Sequence, residues 1–329
     1  MRKPDFENLL AVLSRQKPSR PTLFEFFLND RLHKHLGGSE NIDINIIKMR
    51  AFLNAGYDYI TVLGGFNFTS REKHKESSIS LNECPLITDR ESFKSYAWSD
   101  PDKADYSNFE LVSKRLPDGM KIIGFGPGGV LENVIKLTGY NNLCMLLVDD
   151  PGLVKLIFDN VGSRLVRYYE IIGSFDKIGA MISNDDWGFK TQTMLSPADM
   201  RTYVIPWHRK IVETIHKTGR PAILHSCGKL DEVMEDIIFG LKYDAKHSYE
   251  DAICPVEQAY QKWSSKIAIL GGIDVDFLCR SEITAIKERA KKMLELSSEK
   301  GAYALGSGNS IPEYVPDDKY LAMISVIKE

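Results

Sequence analysis

Two textures of apolar residues alternate along the chain. Short, nearly continuous apolar runs recur at Pro21–Phe26, Tyr57–Leu63, Lys121–Phe125, Ile178–Ser183, Pro221–His225, Leu241–Lys246, Lys266–Leu270 and Ala302–Leu305. Runs of this kind suit strands covered on both faces in a parallel sheet. Helical stretches lie between them. Ser196-Pro197 opens one, with a serine suited to the N-cap and a proline suited to the first turn. It is predicted to run to about His216 and to stop at Gly219-Arg220-Pro221. Ser281 is predicted to cap another that reaches Lys300-Gly301. Eight strands separated by helices form either a closed (β/α)8 TIM barrel or an open doubly wound α/β sheet. Polar or glycine clusters follow nearly every strand, which favours the barrel. The expected architecture is one domain over residues 1–329, with an N-terminal helical segment and an insertion after strand two, Phe66–Asp118. That insertion is rich in Ser, Asn, Asp and Lys, and is expected to cover the barrel mouth.

Composition narrows the partners. The 329 residues are 43% hydrophobic and 26% charged, with a formal net charge of −3. Such a balance lacks the basic field that nucleic-acid binding needs. No run approaches the roughly 20 apolar residues that cross a bilayer. The start of the chain lacks the apolar core of a signal peptide. The five cysteines, Cys84, Cys144, Cys227, Cys254 and Cys279, are odd in number and scattered, which fits a reducing cytoplasm. A homodimer is the commonest assembly for such a chain.

In a barrel the chemistry gathers at the C-terminal strand ends. His225-x-Cys227 is the sharpest element there, since residues two apart on a strand share a face and bring imidazole and thiol together. Nitrogen and sulfur donors suit zinc; the competing reading is a buried cysteine beside a hydrogen-bonded histidine. Asp185 and Asp186 diverge, so one of them is expected to face the lumen as an acid or base, and Trp187 would wall an apolar pocket beside it. The alternative is a carboxylate that caps a turn. Lys246 and His247 offer positive charge to a substrate carboxylate, or are solvated loop cations. Asp274 would bind substrate or orient another side chain. Glu25, in an otherwise apolar strand, is expected to face the lumen. Asn29, Ser307 and Asn309 complete the expected substrate-contacting set. Gly124–Gly129 resembles G-x-G-x-x-G in spacing, but Pro127 fits a dinucleotide loop poorly, and a backbone-approach loop at the mouth is expected.

Three stretches resemble the uroporphyrinogen decarboxylase superfamily: Ser183–Gly228, Gly271–Asp276 (GGIDVD) and Gly306–Pro312 (GSGNSIP). The resemblance spans almost the whole chain and implies a (β/α)8 barrel. It covers two chemistries. The decarboxylases use no metal and hold a tetrapyrrole carboxylate with an R-Q-A-G-R-type motif after strand one. Here Phe24–Arg31 occupies that place, and only Asp185-x-Trp187 matches their aspartate-serine-tryptophan segment. The zinc-dependent corrinoid methyltransferases, such as methylcobamide:coenzyme M enzymes, carry H-x-C and a distant cysteine. His225 and Cys227 match the first part, while Ser307 stands at the second. The resemblance implies zinc on His225 and Cys227; with Ser307 in place of the cysteine, either His247, Glu250 or Asp274 is the third ligand, or zinc is absent and Cys227 is a thiol beside His225. It also implies a corrinoid carried by a partner protein. Three readings remain at this stage: a methyltransferase, a decarboxylase of porphyrin metabolism, and a non-catalytic corrinoid or small-molecule binding protein.

Overall fold

The computed structural model describes residues 2–38, 41–69, 81–82 and 85–328. Among these residues, seven strands form one parallel sheet in sequential order: β1 (Tyr59–Leu63), β2 (Lys121–Phe125), β3 (Ile178–Asn184), β4 (Ala222–His225), β5 (Ala245–His247), β6 (Ala268–Leu270) and β7 (Tyr303–Ala304). Helices return the chain between them, so the fold is α/β. Strand interiors are almost wholly buried, as expected for strands with helices on one side and packed interior side chains on the other.

The first expected strand, Pro21–Phe26, is a single bridge instead. Leu23 pairs in parallel with Leu305, just past β7. On its other side the link to β1 runs through side chains. Tyr59 donates its hydroxyl to the Glu25 carbonyl at 2.7 Å, and Thr61 donates to the Phe26 carbonyl at 2.8 Å. Hydroxyls of β1 thus take the place of a backbone ladder.

Two other expectations are corrected. The sixth run was expected at Leu241–Lys246, but Asp236–Leu241 forms a wide helical turn and Lys242 is left-handed. Pairing therefore starts only at Ala245. Ser281 does not cap the next helix; it ends the short helix Val275–Arg280, and Ile283–Ser297 follows Glu282.

The helix after Ser196 holds as expected. The Ser196 hydroxyl accepts from the Asp199 N–H at 3.1 Å, and the helical path continues through a π turn at Met200–Val204 to Lys217. Chain reversal follows at Gly219, with φ +74°. The N-terminal helix Glu7–Leu13 is also present. Of the insertion, residues 70–80 and 83–84, including Cys84, lie outside the described residues. Its later part packs beside the long helix Pro151–Gly173. Arg90 pairs with Asp150, and Arg167 pairs with Asp102. Among the described residues, none of the insertion lines the large cleft described below. No described helix is long and apolar enough to cross a membrane.

Candidate active site

The ladder register fixes the site. His225 at the end of β4 lies opposite Asn184 of β3 on one side and His247 of β5 on the other. Just past these strand ends, the loops after β3 and β4 touch. A Cβ at Gly228 would lie 2.1 Å from the Gly188 carbonyl oxygen, so the contact requires glycine there. Three hydrogen bonds follow from this approach: Cys227 N–H to Asp186 Oδ1 (2.9 Å), Trp187 N–H to Ser226 Oγ (3.1 Å) and Lys229 N–H to the Phe189 carbonyl (2.8 Å).

The result is a cluster of three donors. Ligand atoms of Asp186, His225 and Cys227 lie within 4.8 Å of one another. Cys227 Sγ is 4.0 Å from His225 Nε2. Asn309 Nδ2 (3.3 Å) and Ser248 Oγ (3.4 Å) also approach the sulfur as donors. Burial, and then the Asp186 charge, push the Cys227 thiol up to about 12. Burial, His247 and Lys246 push His225 well below the ordinary imidazole value, so it is neutral. The group closest to a compact metal-binding set is therefore carboxylate, imidazole and thiol.

This corrects the expected third ligand. His247 turns its Nδ1 to His225 Nδ1 at 2.8 Å and its Nε2 to the Ser307 carbonyl at 3.3 Å, so it backs the site rather than entering it. Asp274 is committed to the Phe277 and Asp251 N–H groups, at 3.0 and 2.8 Å. Glu250 borders the cleft without joining the cluster. Asp186 is the third member of the donor cluster.

Other expected residues fall elsewhere. Asp185 is fully buried. It accepts from the N–H groups of Leu131 and Glu132 at the start of the helix Val130–Thr138, from Trp187 Nε1, and bonds to His208 Nε2. Of the two aspartates, Asp185 takes the alternative capping role, and Trp187 is its fully buried partner rather than a pocket wall. That carboxylate also occupies the helix start behind the glycine-rich loop, where an anionic ligand would otherwise sit. Asn29 caps the helix Asp30–Gly37 through the Leu32 N–H at 2.7 Å. Glu25 is fully buried and grips Ser307, accepting from its N–H at 2.6 Å and its hydroxyl at 2.8 Å. Neither Glu25 nor Ser307 borders the cleft. Burial pushes the Glu25 carboxyl up to about 8, against the two Ser307 bonds.

Lys246 points away from His247. Its Nζ donates to the Ser248 carbonyl at 2.7 Å and lies 4.4 Å from the Tyr249 ring centre. It borders a separate chamber of about 50 Å³ with Cys254 and Trp263. Burial lowers it to about 8.

Two residues escaped the sequence reading. Ser248 reaches the thiol from the β5 loop. Glu132, three residues after Gly129, binds the Gly129 N–H at 3.1 Å; burial and the Asp185 and Asp186 charges, opposed by Lys136, push it up to about 7. Its spacing is that of a capping box, which was the available signal.

A cleft of about 1100 Å³ lies between the loops after β5, β6 and β7; Asp186, His225 and Cys227 are not among its lining residues. Asn309 and Ser310 border it, as do Phe27, Tyr249, Phe277 and Tyr314. Asn309 links the cleft to the thiol.

Known proteins agree with this architecture. Among curated proteins, the uroporphyrinogen decarboxylase of Citrifermentans bemidjiense is 22% identical over 231 residues, covering 66% of this chain and 62% of the relative. That of an Anaeromyxobacter species is 23% identical over 221 residues, covering 66% and 60%. The chain thus spans less than two thirds of these relatives' length. A solved structure, a methyltransferase from Methanosarcina mazei, superposes with a TM-score of 0.71 at 12% identity, covering 98% of this chain and 97% of that one. At that identity the likeness is one of fold. The family model of uroporphyrinogen decarboxylase (URO-D) matches residues 85–329. That span takes in every strand after β1 and all three residues of the donor cluster, and by it the chain belongs to the uroporphyrinogen decarboxylase family.

Proposed function

We propose that this protein is a zinc-dependent methyltransferase that moves a methyl group between a small substrate or thiol and a corrinoid carried by a partner protein. It acts as one (β/α)8 domain over residues 1–329, with the segment around Leu23 as the eighth stave, and it works in the cytoplasm. The observation that carries the reading is the convergence of Asp186, His225 and Cys227, whose thiol is touched by Asn309 of the cleft lining.

The donor set fits zinc, whose catalytic sites use three protein ligands and leave one position open. Ordinary Zn–N and Zn–S bonds in a tetrahedral shell hold N and S roughly 3.6 Å apart; Nε2 and Sγ here are 4.0 Å apart. When bound, zinc would supply Lewis acidity that lowers the pKa of a substrate thiol; the thiol proton would leave to solvent, the sulfur would bond the methyl carbon, and the pair of the broken bond would stay on the methyl carrier. The chain's own groups set the rest. Asn309 and Ser248 direct N–H and O–H dipoles at the Cys227 sulfur, which favours its thiolate form. His247 holds the back of His225. The cleft would hold one end of the substrate, with Asn309 of its lining in contact with the Cys227 sulfur.

The curated relatives' name supports a second reading, metal-independent decarboxylation of a carboxylate-bearing ring compound. One experiment separates the two. Zinc-loaded protein is incubated with methylcobalamin and a panel of simple thiols, beside the Cys227→Ala variant. Thioether formation that is lost in the variant is the expected result. Release of carbon dioxide from a carboxylated ring compound by chelator-treated protein, with no thioether formed by the zinc-loaded form, would overturn it.

A further inference from the structure

Behind His225 a chain of hydrogen bonds ends on a group that can only accept. The Ser307 carbonyl oxygen lies 3.3 Å from His247 Nε2 and also accepts from the Gly272 N–H at 2.8 Å. His247 Nε2 must therefore carry its proton. A neutral imidazole has one N–H, so His247 Nδ1 is an acceptor. His225 Nδ1, 2.8 Å from it, must donate. That leaves a bare lone pair on His225 Nε2, the nitrogen 4.0 Å from Cys227 Sγ. Both rings are buried, and burial disfavours the charged imidazolium, so each ring carries one proton.

The carbonyl that starts this sequence is itself fixed. Glu25 accepts from both the N–H and the hydroxyl of Ser307. The Glu25 backbone is fixed in turn by the Tyr59 hydroxyl, 2.7 Å from both its nitrogen and its carbonyl oxygen. Gly271, at φ +66°, keeps the space open: a Cβ there would lie 2.2 Å from the Ser307 carbonyl oxygen and 3.0 Å from the His247 ring. Without these constraints an imidazole has access to both tautomers, and the one protonated on Nε2 cannot bind a metal through that atom.

We propose that Glu25, the Ser307 carbonyl and Gly271 are positioning elements that lock His225 in the Nδ1–H tautomer and reserve Nε2 as a ligand. The use of that ligand rests on the zinc reading above; the tautomer itself does not. Its test is therefore made first on metal-free protein.

In protein labelled with 15N-histidine, long-range proton–nitrogen spectra at neutral pH report which ring nitrogen is protonated. His225 is expected to show protonated Nδ1 and bare Nε2, and His247 the reverse. Glu25→Gln can still bond both Ser307 groups, and should keep that pattern and keep zinc affinity within a factor of about three. Glu25→Leu should mix the His225 tautomers and weaken zinc binding about 10- to 100-fold. A wild-type His225 protonated on Nε2 overturns the proposal, whether or not any variant folds. An unchanged His225 pattern in folded Glu25→Leu overturns the role of Glu25. The expected tautomer in a protein that binds no zinc would sink the methyltransferase reading and leave the lock standing.

Discussion

Asp185 and Asp186 are adjacent, yet each belongs to a different kind of histidine–aspartate cluster. Asp185, His208, Trp187 and Tyr243 form a closed set. All four are buried, and each polar side chain has a partner: Asp185 to His208 at 2.8 Å, His208 to the Tyr243 hydroxyl at 2.7 Å, Trp187 to Asp185 at 2.9 Å. Asp186, His225 and Cys227 form an open set. Asp186 and Cys227 are partly exposed, His225 Nε2 lies 4.0 Å from the thiol, and Asn309 joins the thiol to the cleft. The same residue types make every bond in one set and, on the proposed reading, leave bonds for a ligand in the other. Saturation, rather than residue type, separates the two.

The comparison predicts opposite responses to similar substitutions. Asp185→Ala should cost the most, about 3–5 kcal/mol in denaturant unfolding, because it uncaps a helix and strands buried polar partners. A loss below about 1 kcal/mol would erase the distinction.

Glu25 sharpens the comparison through pH. Its carboxyl is raised from 4.5 to about 8 in the folded protein. The folded state therefore holds a proton that the unfolded chain gives up. Its contribution is complete below pH 4.5 and is lost as pH rises to about 8. The decline should be on the order of 4 kcal/mol across that window. Glu25→Gln should remove this slope, and parallel stability–pH curves for the two proteins would refute it.

Asp186→Ala, by contrast, should change metal-free stability by about 1 kcal/mol or less, since the side chain is partly exposed and accepts from the N–H of Cys227 in a loop. A cost as large as that of Asp185→Ala would merge the two clusters into one structural unit. Ser196→Ala, remote from both, should cost about 1 kcal/mol through its lost cap alone, measured by the same unfolding curves.

The sequence exposed the parts of this fold that rest on periodicity. Continuous apolar runs located the strands, and Ser196-Pro197 and Gly219 marked a helix. The Leu23 segment was less legible, because its pairing with β1 runs through Tyr59 and Thr61 hydroxyls that no strand pattern encodes. His225 and Cys227 were legible as a pair, since spacing of two on one strand is local information. The division of labour between Asp185 and Asp186 was not. It depends on Gly228 meeting Gly188 and on a helix start beside Asp185, contacts between segments far apart in the chain. Glu25, Asn29 and Ser307 were read as facing substrate for the same reason: their partners lie about 280 residues away or across a cap.

Metal content tests the central claim most directly. Protein purified without chelator, together with its Cys227→Ala and Asp186→Ala forms, is analysed for bound zinc. The account predicts about one zinc per chain in the native protein, loss in Cys227→Ala and marked loss in Asp186→Ala, with both variants folded. A native protein free of metal, or full zinc retained without Asp186, would contradict it.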